Sequence, residues 1–331
     1  MAAQKNIDIH AHFFPQAFID LMESEGGADG GGVDRTDPRG PRVGVGGRLS
    51  APLEPRFHDL SARLASMDAT GVDIQALSLT TPMVYWAAPE LGRRLSAAFN
   101  DGCAEYHTAH PERFLGLAML PMQSPEHAIR ELERAATLPG MRGVYMATQV
   151  EGKELSDPDF YPVYERIEAM GWTIFLHPVK VVDPQRLARF HLRNLIGNPT
   201  ESAIAAAYLI FDRVLDRFPK LTFCLPHAGG SFPYLIGRFT HGWSVRPECR
   251  ELQNPPDSYL RRFYYDTITH AHPALTYLID LVGADRVVLG SDFCFDMSYE
   301  EPVRFVQEHA GLDAAAQDLI LGGNAARLLG L

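Results

Sequence analysis

Eight short apolar runs, each separated from the next by a stretch with helical patterning, constrain this chain more than any other feature. They fall at residues 7–13 (IDIHAHF), 73–80, 114–120, 142–148, 173–179 (TIFLHPV), 221–227 (LTFCLPH), 263–269 (FYYDTIT) and 286–293 (RVVLGSDF). Several are almost continuously hydrophobic, the pattern of parallel strands covered on both faces. Between them, Phe57, Leu60, Leu64 and Met67 recur at helical spacing. Ser124 followed by Pro125 predicts a capped helix start. Asn198, Pro199 and Glu201 predict another, a variant of the capping box. The run HPALTYLIDLVG predicts a helix before the eighth strand. Eight strand–helix units in 331 residues predict an α/β chain folded as a (β/α)8 TIM-type barrel, one domain over residues 1–331. A doubly wound open sheet is the alternative, but no G-x-G-x-x-G follows the first strand to favour it.

One insertion interrupts the alternation. Residues 26–50, GGADGGGVDRTDPRGPRVGVGGRLS, read as a long, mobile, Gly-rich loop after strand one, placed to fold over the barrel mouth. The charge balance, 30 − 41 = −11, argues against nucleic acid or an anionic membrane as the main partner. A small anionic substrate remains compatible, because a few local arginines outweigh net charge. No apolar stretch is long enough for a membrane span, and MAAQKNIDIH lacks the apolar run of a signal peptide. Cys103, Cys224, Cys249 and Cys294 are scattered without a C-x-x-C pair and read as free thiols, which makes the cytoplasm the expected location.

Side chains alternate along a strand, so His10 and His12 share one face of strand one. In a barrel, the residues at C-terminal strand ends face one mouth. Those ends carry His10 and His12 on strand one, His177 on strand five, His227 on strand six and Asp292 on strand eight. Three imidazoles with a carboxylate suit a divalent metal such as Zn²⁺. The remaining histidines fit less well. His58, His107, His110, His127 and His309 sit on helical or loop patterns, as surface or packing residues. His270 and His272 form a second H-x-H near the same mouth, lining the pocket or capping a helix.

The segments IDIHAHFFP, FLHP, PHAGGSFPYLIGR, RVVLGSDF and GGNAARLLGL resemble the amidohydrolase superfamily, and within it the amidohydrolase-2 branch of metal-dependent decarboxylases. The likeness runs nearly end to end. It implies that His10, His12, His177 and Asp292 hold one divalent ion, zinc in the first instance and manganese in the second. It also implies that His227 is left free as the acid/base residue, with Asp292 beside it in catalysis. Two-metal relatives bridge their ions with a lysine at the end of strand four; here RGVYMATQV has none, and Lys153 comes later in the loop. The implied reaction is non-oxidative decarboxylation of an aromatic or muconate-semialdehyde-like carboxylic acid. Hydrolysis or hydration of a small dicarboxylate or lactone is the alternative.

Three further residues are expected to meet the substrate. Arg48 ends the Gly-rich stretch and could pair with a carboxylate through both nitrogens of its fork. Phe295 follows Asp292 closely enough to wall the pocket. Arg238 lies eleven residues past His227, roughly 16 Å along a helix axis, and is badly placed for its own pocket. The resemblance puts it across a homodimer interface, in the neighbouring site, with Trp243 and Arg246 in the same segment. Val179 stands where a similar decarboxylase of the branch carries tryptophan after the His-Pro pair, and FCFDMSYEEP is acidic where that relative is apolar. Both departures fall at the expected pocket, so the substrate itself stays open.

Overall fold

A computed structural model describes residues 5–331. Eight parallel strands form its centre: β1 (Ile7–His12), β2 (Ile74–Ser78), β3 (Phe114–Met119), β4 (Met141–Ala147), β5 (Thr173–His177), β6 (Thr222–Leu225), β7 (Phe263–Asp266) and β8 (Val287–Val288). They pair in chain order from β1 to β8. The two edges then meet: Ile9 N donates to Leu289 O at 3.0 Å and His12 N to Phe293 O at 2.7 Å. A bridge between Ala11 and Phe293 lies at the same seam. The eight runs predicted from sequence are these eight strands, and the barrel reading replaces the open sheet.

Closure explains the hydrophobic runs. Every residue of β1, β2 and β3 is buried, because one face lines the barrel and the other meets the helices. Helices occupy the outer layer, among them Leu60–Thr70, Pro89–Ala109, Pro125–Ala135, Asn198–Phe211, Phe232–Val245 and His272–Val282. The first of these is set by local chemistry at both ends. Asp59 accepts from the Ala62 amide at 2.7 Å, and Gly71, at φ 72°, takes the left-handed turn that stops the helix.

Two local expectations change. Asn198 does not cap a helix, because five residues of π-helix, Arg193–Gly197, run directly into Asn198–Phe211 and leave no free first turn there. The Gly-rich stretch contains order of its own. Gly31–Asp34, Arg42–Val45 and Arg48–Leu49 pair as a three-stranded antiparallel sheet. Gly46 and Gly47, at φ 59° and 76°, supply the positive-φ turn that a two-residue hairpin requires. Val43 is fully buried and anchors this small sheet. No helix among the described residues is long and apolar enough to cross a membrane.

Candidate metal centre

β1 delivers His10 and His12 to the mouth, and its register against β2 sets His12 beside Ser78. His12 Nδ1 lies 3.2 Å from the Ser78 hydroxyl, which leaves Nε2 facing Asp292 Oδ1 at 2.9 Å. His177 ends β5 opposite Ala147. Strand β6 ends at Leu225, and Pro226 leads into a tight turn where His227 and Ala228 both have positive φ, 53° and 56°. That turn swings the His227 ring back over the barrel. Asp292 follows β8 on a backbone that is itself at φ 62°.

The five side chains converge. The His10 ring centroid is 5.0 Å from that of His12, 5.2 Å from His177 and 5.3 Å from His227. His10 Nε2 is 3.5 Å from Asp292 Oδ1, and His227 Nε2 is 3.8 Å from Asp292 Oδ2. His10, His177, His227 and Asp292 each offer one ligand atom within 4.8 Å of the others. The chemistry of this donor set fits a divalent ion. His10 Nε2 and His177 Nδ1 are buried with no hydrogen-bond partner, a costly state for a ring nitrogen unless a cation or substrate completes it.

Electrostatics favour the neutral form of His12 and His177. Burial holds His12 down at about 4, with the neighbouring His10 charge adding to the effect, against the partial opposition of the Asp292 hydrogen bond. Burial and the His12, His10 and His227 rings push His177 well below the ordinary imidazole value. His10 goes the other way. Burial opposes its charge, but the Asp266 hydrogen bond and the charges of Asp292 and Asp266 win, and its pKa is raised. Asp292 is held well below the carboxylate range: burial opposes this, and the hydrogen bond from His12, the nearby His227 ring and the charge on His10 outweigh it.

Of the residues expected to meet substrate, Phe295 stands against the centre, its ring 5.4 Å from His12 and 5.1 Å from Phe57. Arg48 lines a separate cavity of about 410 Å³ at the mouth, with Tyr85, Trp86, Gln149, Val179 and Lys180. Arg238 is exposed on the helix Phe232–Val245 and lines neither the cavity at Arg48 nor the one at His227 and Asp292. Trp243 donates to the Leu252 carbonyl at 3.2 Å and Arg246 pairs with Glu248 at 2.6 Å, both within the chain. Lys153 is exposed and paired with Asp159, away from the centre. His270 lines a cavity of about 400 Å³ shared with His227, Asp292, Asn194, Asn198 and Thr269. His272 turns away and lies 3.0 Å from the Phe305 carbonyl.

Three residues escaped the reading of the sequence. Asp266, fully buried at the end of β7, accepts from His10 Nδ1 at 2.8 Å. An aspartate closing the apolar run FYYD was the available signal. Arg63, fully buried on the helix Leu60–Thr70, donates to the His12 carbonyl and to Gln75 Oε1, the latter at 2.8 Å. Tyr145 is buried in β4, its ring 5.9 Å from His177 and 6.2 Å from His12. Asp8 shares β1 with the histidines but serves the seam: it accepts from the Ser291 hydroxyl at 2.6 Å and the Ser291 amide at 3.1 Å. Burial raises its carboxyl to about 6, against the lowering effect of the Ser291 hydroxyl.

Polar ligands at the C-terminal mouth of a closed parallel barrel define a class of metal-centred (β/α)8 proteins. Within that class the chain belongs to the amidohydrolase family (Amidohydro_2), whose sequence profile matches residues 7–331. It is 34% identical over 329 residues to a 2-amino-3-carboxymuconate-6-semialdehyde decarboxylase from Dictyostelium discoideum, covering 98% of this chain and 91% of that one. The 5-carboxyvanillate decarboxylase of Sphingomonas paucimobilis superposes with a TM-score of 0.85 at 28% identity, over 99% of this chain and 100% of that one. A dihydroxybenzoic acid decarboxylase from Polaromonas sp. JS666, solved with manganese and the inhibitor 2-nitroresorcinol, gives 0.82 at 25% identity, over 99% and 98%.

Proposed function

We propose that the protein is a metal-dependent, non-oxidative decarboxylase, a carbon–carbon lyase acting on an aromatic or muconate-semialdehyde-like carboxylic acid. One observation carries the reading: four imidazoles and Asp292 converge at the barrel mouth, beside a cavity of about 400 Å³, in a chain that matches a decarboxylase along nearly its whole length. The hydrolase or hydratase alternative is not favoured, because the relatives at 34% and 28% identity are decarboxylases.

His10, His12, His177 and Asp292 are assigned to one divalent ion. His12 rather than His227 completes the set because Ser78 holds its Nδ1 side and its Nε2 already faces Asp292. Zinc suits three nitrogens and one oxygen; manganese is the alternative, supported by the Polaromonas relative. When bound, the ion supplies Lewis-acid polarisation of substrate oxygens. His227 lies on the cavity wall, 3.8 Å from Asp292 Oδ2. As CO₂ leaves, the electron pair of the broken C–C bond stays on the substrate carbon, and His227 gives that carbon its proton. Asp292 orients the His227 ring for this transfer. Phe295 packs on the substrate ring, and Arg48 takes a carboxylate as the small Gly-rich sheet moves over the mouth.

A homodimer completes the site in this reading. Tyr234 is 81% exposed and Phe190 73%, and Arg238 follows Tyr234 by about one helical turn with no ion pair among the described residues. A second copy covering these residues would carry Arg238 to its neighbour's substrate. Four unpaired cysteines are consistent with a cytoplasmic protein.

The test is a panel of conjugated and aromatic carboxylic acids, followed by absorbance and by CO₂ release. At least one acid should lose CO₂ stoichiometrically with its disappearance. Turnover that yields a hydrolysed or hydrated product and no CO₂ would overturn the assignment.

A further inference from the structure

Asp266 is fully buried, and no lysine or arginine pairs with it among the described residues. Four donors converge on its two oxygens instead. Oδ2 accepts from His10 Nδ1 at 2.8 Å and from the His227 amide at 2.9 Å. Oδ1 accepts from the Ala228 amide at 2.7 Å and the Ile268 amide at 3.1 Å. An ionised carboxylate only accepts, so His10 must carry its hydrogen on Nδ1 and present a lone pair from Nε2. Two of the other three partners, His227 and Ala228, are held at positive φ, a costly backbone that needs outside support. Gly290 marks how tightly this arrangement is built. A Cβ there would lie 2.8 Å from Asp266 Cβ and 3.1 Å from His10 Cβ.

We infer that Asp266 is a positioning residue that sets both halves of the centre at once, fixing the tautomer of His10 and holding the left-handed turn that aims His227. The inference rests on the reading of His10 as a ligand and His227 as proton donor. One carboxylate thereby ties the place where the metal is held to the place where the proton is delivered. An asparagine cannot substitute. With its NH₂ toward His10, that ring must accept on Nδ1, so Nε2 carries the hydrogen and loses its ligand capacity. With its NH₂ on the other side, it opposes the Ala228 and Ile268 amides and loosens the turn.

The experiment compares wild type with Asp266→Asn, measuring metal bound per chain and its affinity by competition with a chelator, then kcat and KM at saturating metal. The expected result is a folded variant with metal affinity reduced by roughly 10–100-fold. With the ion restored by excess, kcat should stay at least about tenfold low while KM changes little, because the turn under His227 is still loosened. Wild-type affinity together with wild-type kcat would overturn the proposal. His10→Ala keeps the underlying reading separate: metal retained in that variant would sink the ligand assignment, whatever Asp266 does. A second measurement needs no Asp266 variant. Long-range ¹H–¹⁵N spectra of the metal-free wild-type protein, above the pH at which His10 loses its charge, should show its hydrogen on Nδ1. A hydrogen on Nε2 would overturn the tautomer argument even if Asp266→Asn failed to fold.

Discussion

His227 Nε2 stands 3.8 Å from Asp292 Oδ2, so one carboxylate faces the proposed proton donor with one oxygen and the His10 and His12 rings with the other. The two partners in this contact therefore separate on mutation. His227→Ala should keep its metal and lose about 10²–10⁴-fold in kcat, the usual worth of a positioned acid or base. Asp292→Asn should lose metal and activity together. Elemental analysis beside steady-state kinetics checks both. A His227→Ala protein purified without metal would move His227 into the ligand set.

Metal uptake should release protons, and His10 is the source. Its pKa is raised, with burial opposing and the Asp266 hydrogen bond and the Asp292 and Asp266 charges prevailing, so below that raised value the ring is charged. Binding through Nε2 expels the proton. His12, held at about 4, and His177, held well below its usual value, are already neutral near pH 6 and release nothing. Release should approach one proton per metal at about pH 6 and fall toward zero as pH rises through the raised His10 value. The sign for the metal-free protein follows: His10 adds stability below the ordinary imidazole pKa, and that contribution is lost as pH rises through the raised one. Titration calorimetry in buffers of different ionisation enthalpy measures the count; release of two or three protons at pH 6 would contradict it.

Arg63 should matter to stability, although its side chain faces away from solvent and takes no part in the proposed chemistry. Arg63→Met nearly keeps the volume but leaves the His12 carbonyl and Gln75 Oε1 without their donor. The guanidinium also sits over the Phe293 ring at 4.8 Å, on the seam. A loss of about 1–3 kcal/mol is expected from the orphaned acceptors, read from urea unfolding of the metal-free protein. Unchanged stability would mean that removing a buried charge offsets them.

If Arg238 serves the neighbouring site, Arg238→Ala and His227→Ala proteins should each be nearly inactive, yet regain activity when mixed and allowed to exchange subunits. A mixed dimer holds one doubly defective site and one intact site. Random exchange of equal amounts should restore about one quarter of wild-type activity per total site. Mass spectrometry of the mixed dimers must show that exchange occurred; exchange without recovery would return Arg238 to its own chain or to no role in the site.

The candidate site residues were legible because a closed parallel barrel gathers its C-terminal strand ends at one mouth, so His10, His12, His177, His227 and Asp292 could be placed near one another from eight apolar runs alone. Asp266 obeyed the same rule and was missed, since a single aspartate closing FYYD does not reveal that four donors meet it. Asn198 misled because Pro199 and Glu201 imitate a helix start, while the π-turn upstream that removes the need for a cap leaves no local pattern. The Gly-rich stretch hid its small sheet for a related reason: Val33, Val43 and Val45 alternate correctly, but among so many glycines the period is too diluted to read. Arg63 sits on a helix whose spacing marks Leu60, Leu64 and Met67 as the inner face, and an arginine between them passes for a surface residue.

The seam between β1 and β8 has a consequence for how the protein is made. His12 and Asp292, which touch across it, are separated by 280 residues. At a synthesis rate of about 5–20 residues per second, roughly 15–55 s pass between their appearances from the ribosome. Throughout that interval the growing chain has its paired histidines but neither the carboxylate nor the last strand that would shut the barrel around them. Capture of an ion by the proposed ligand set therefore has to wait until β8 and Asp292 have been made, and is governed by the metal the cell offers from then on.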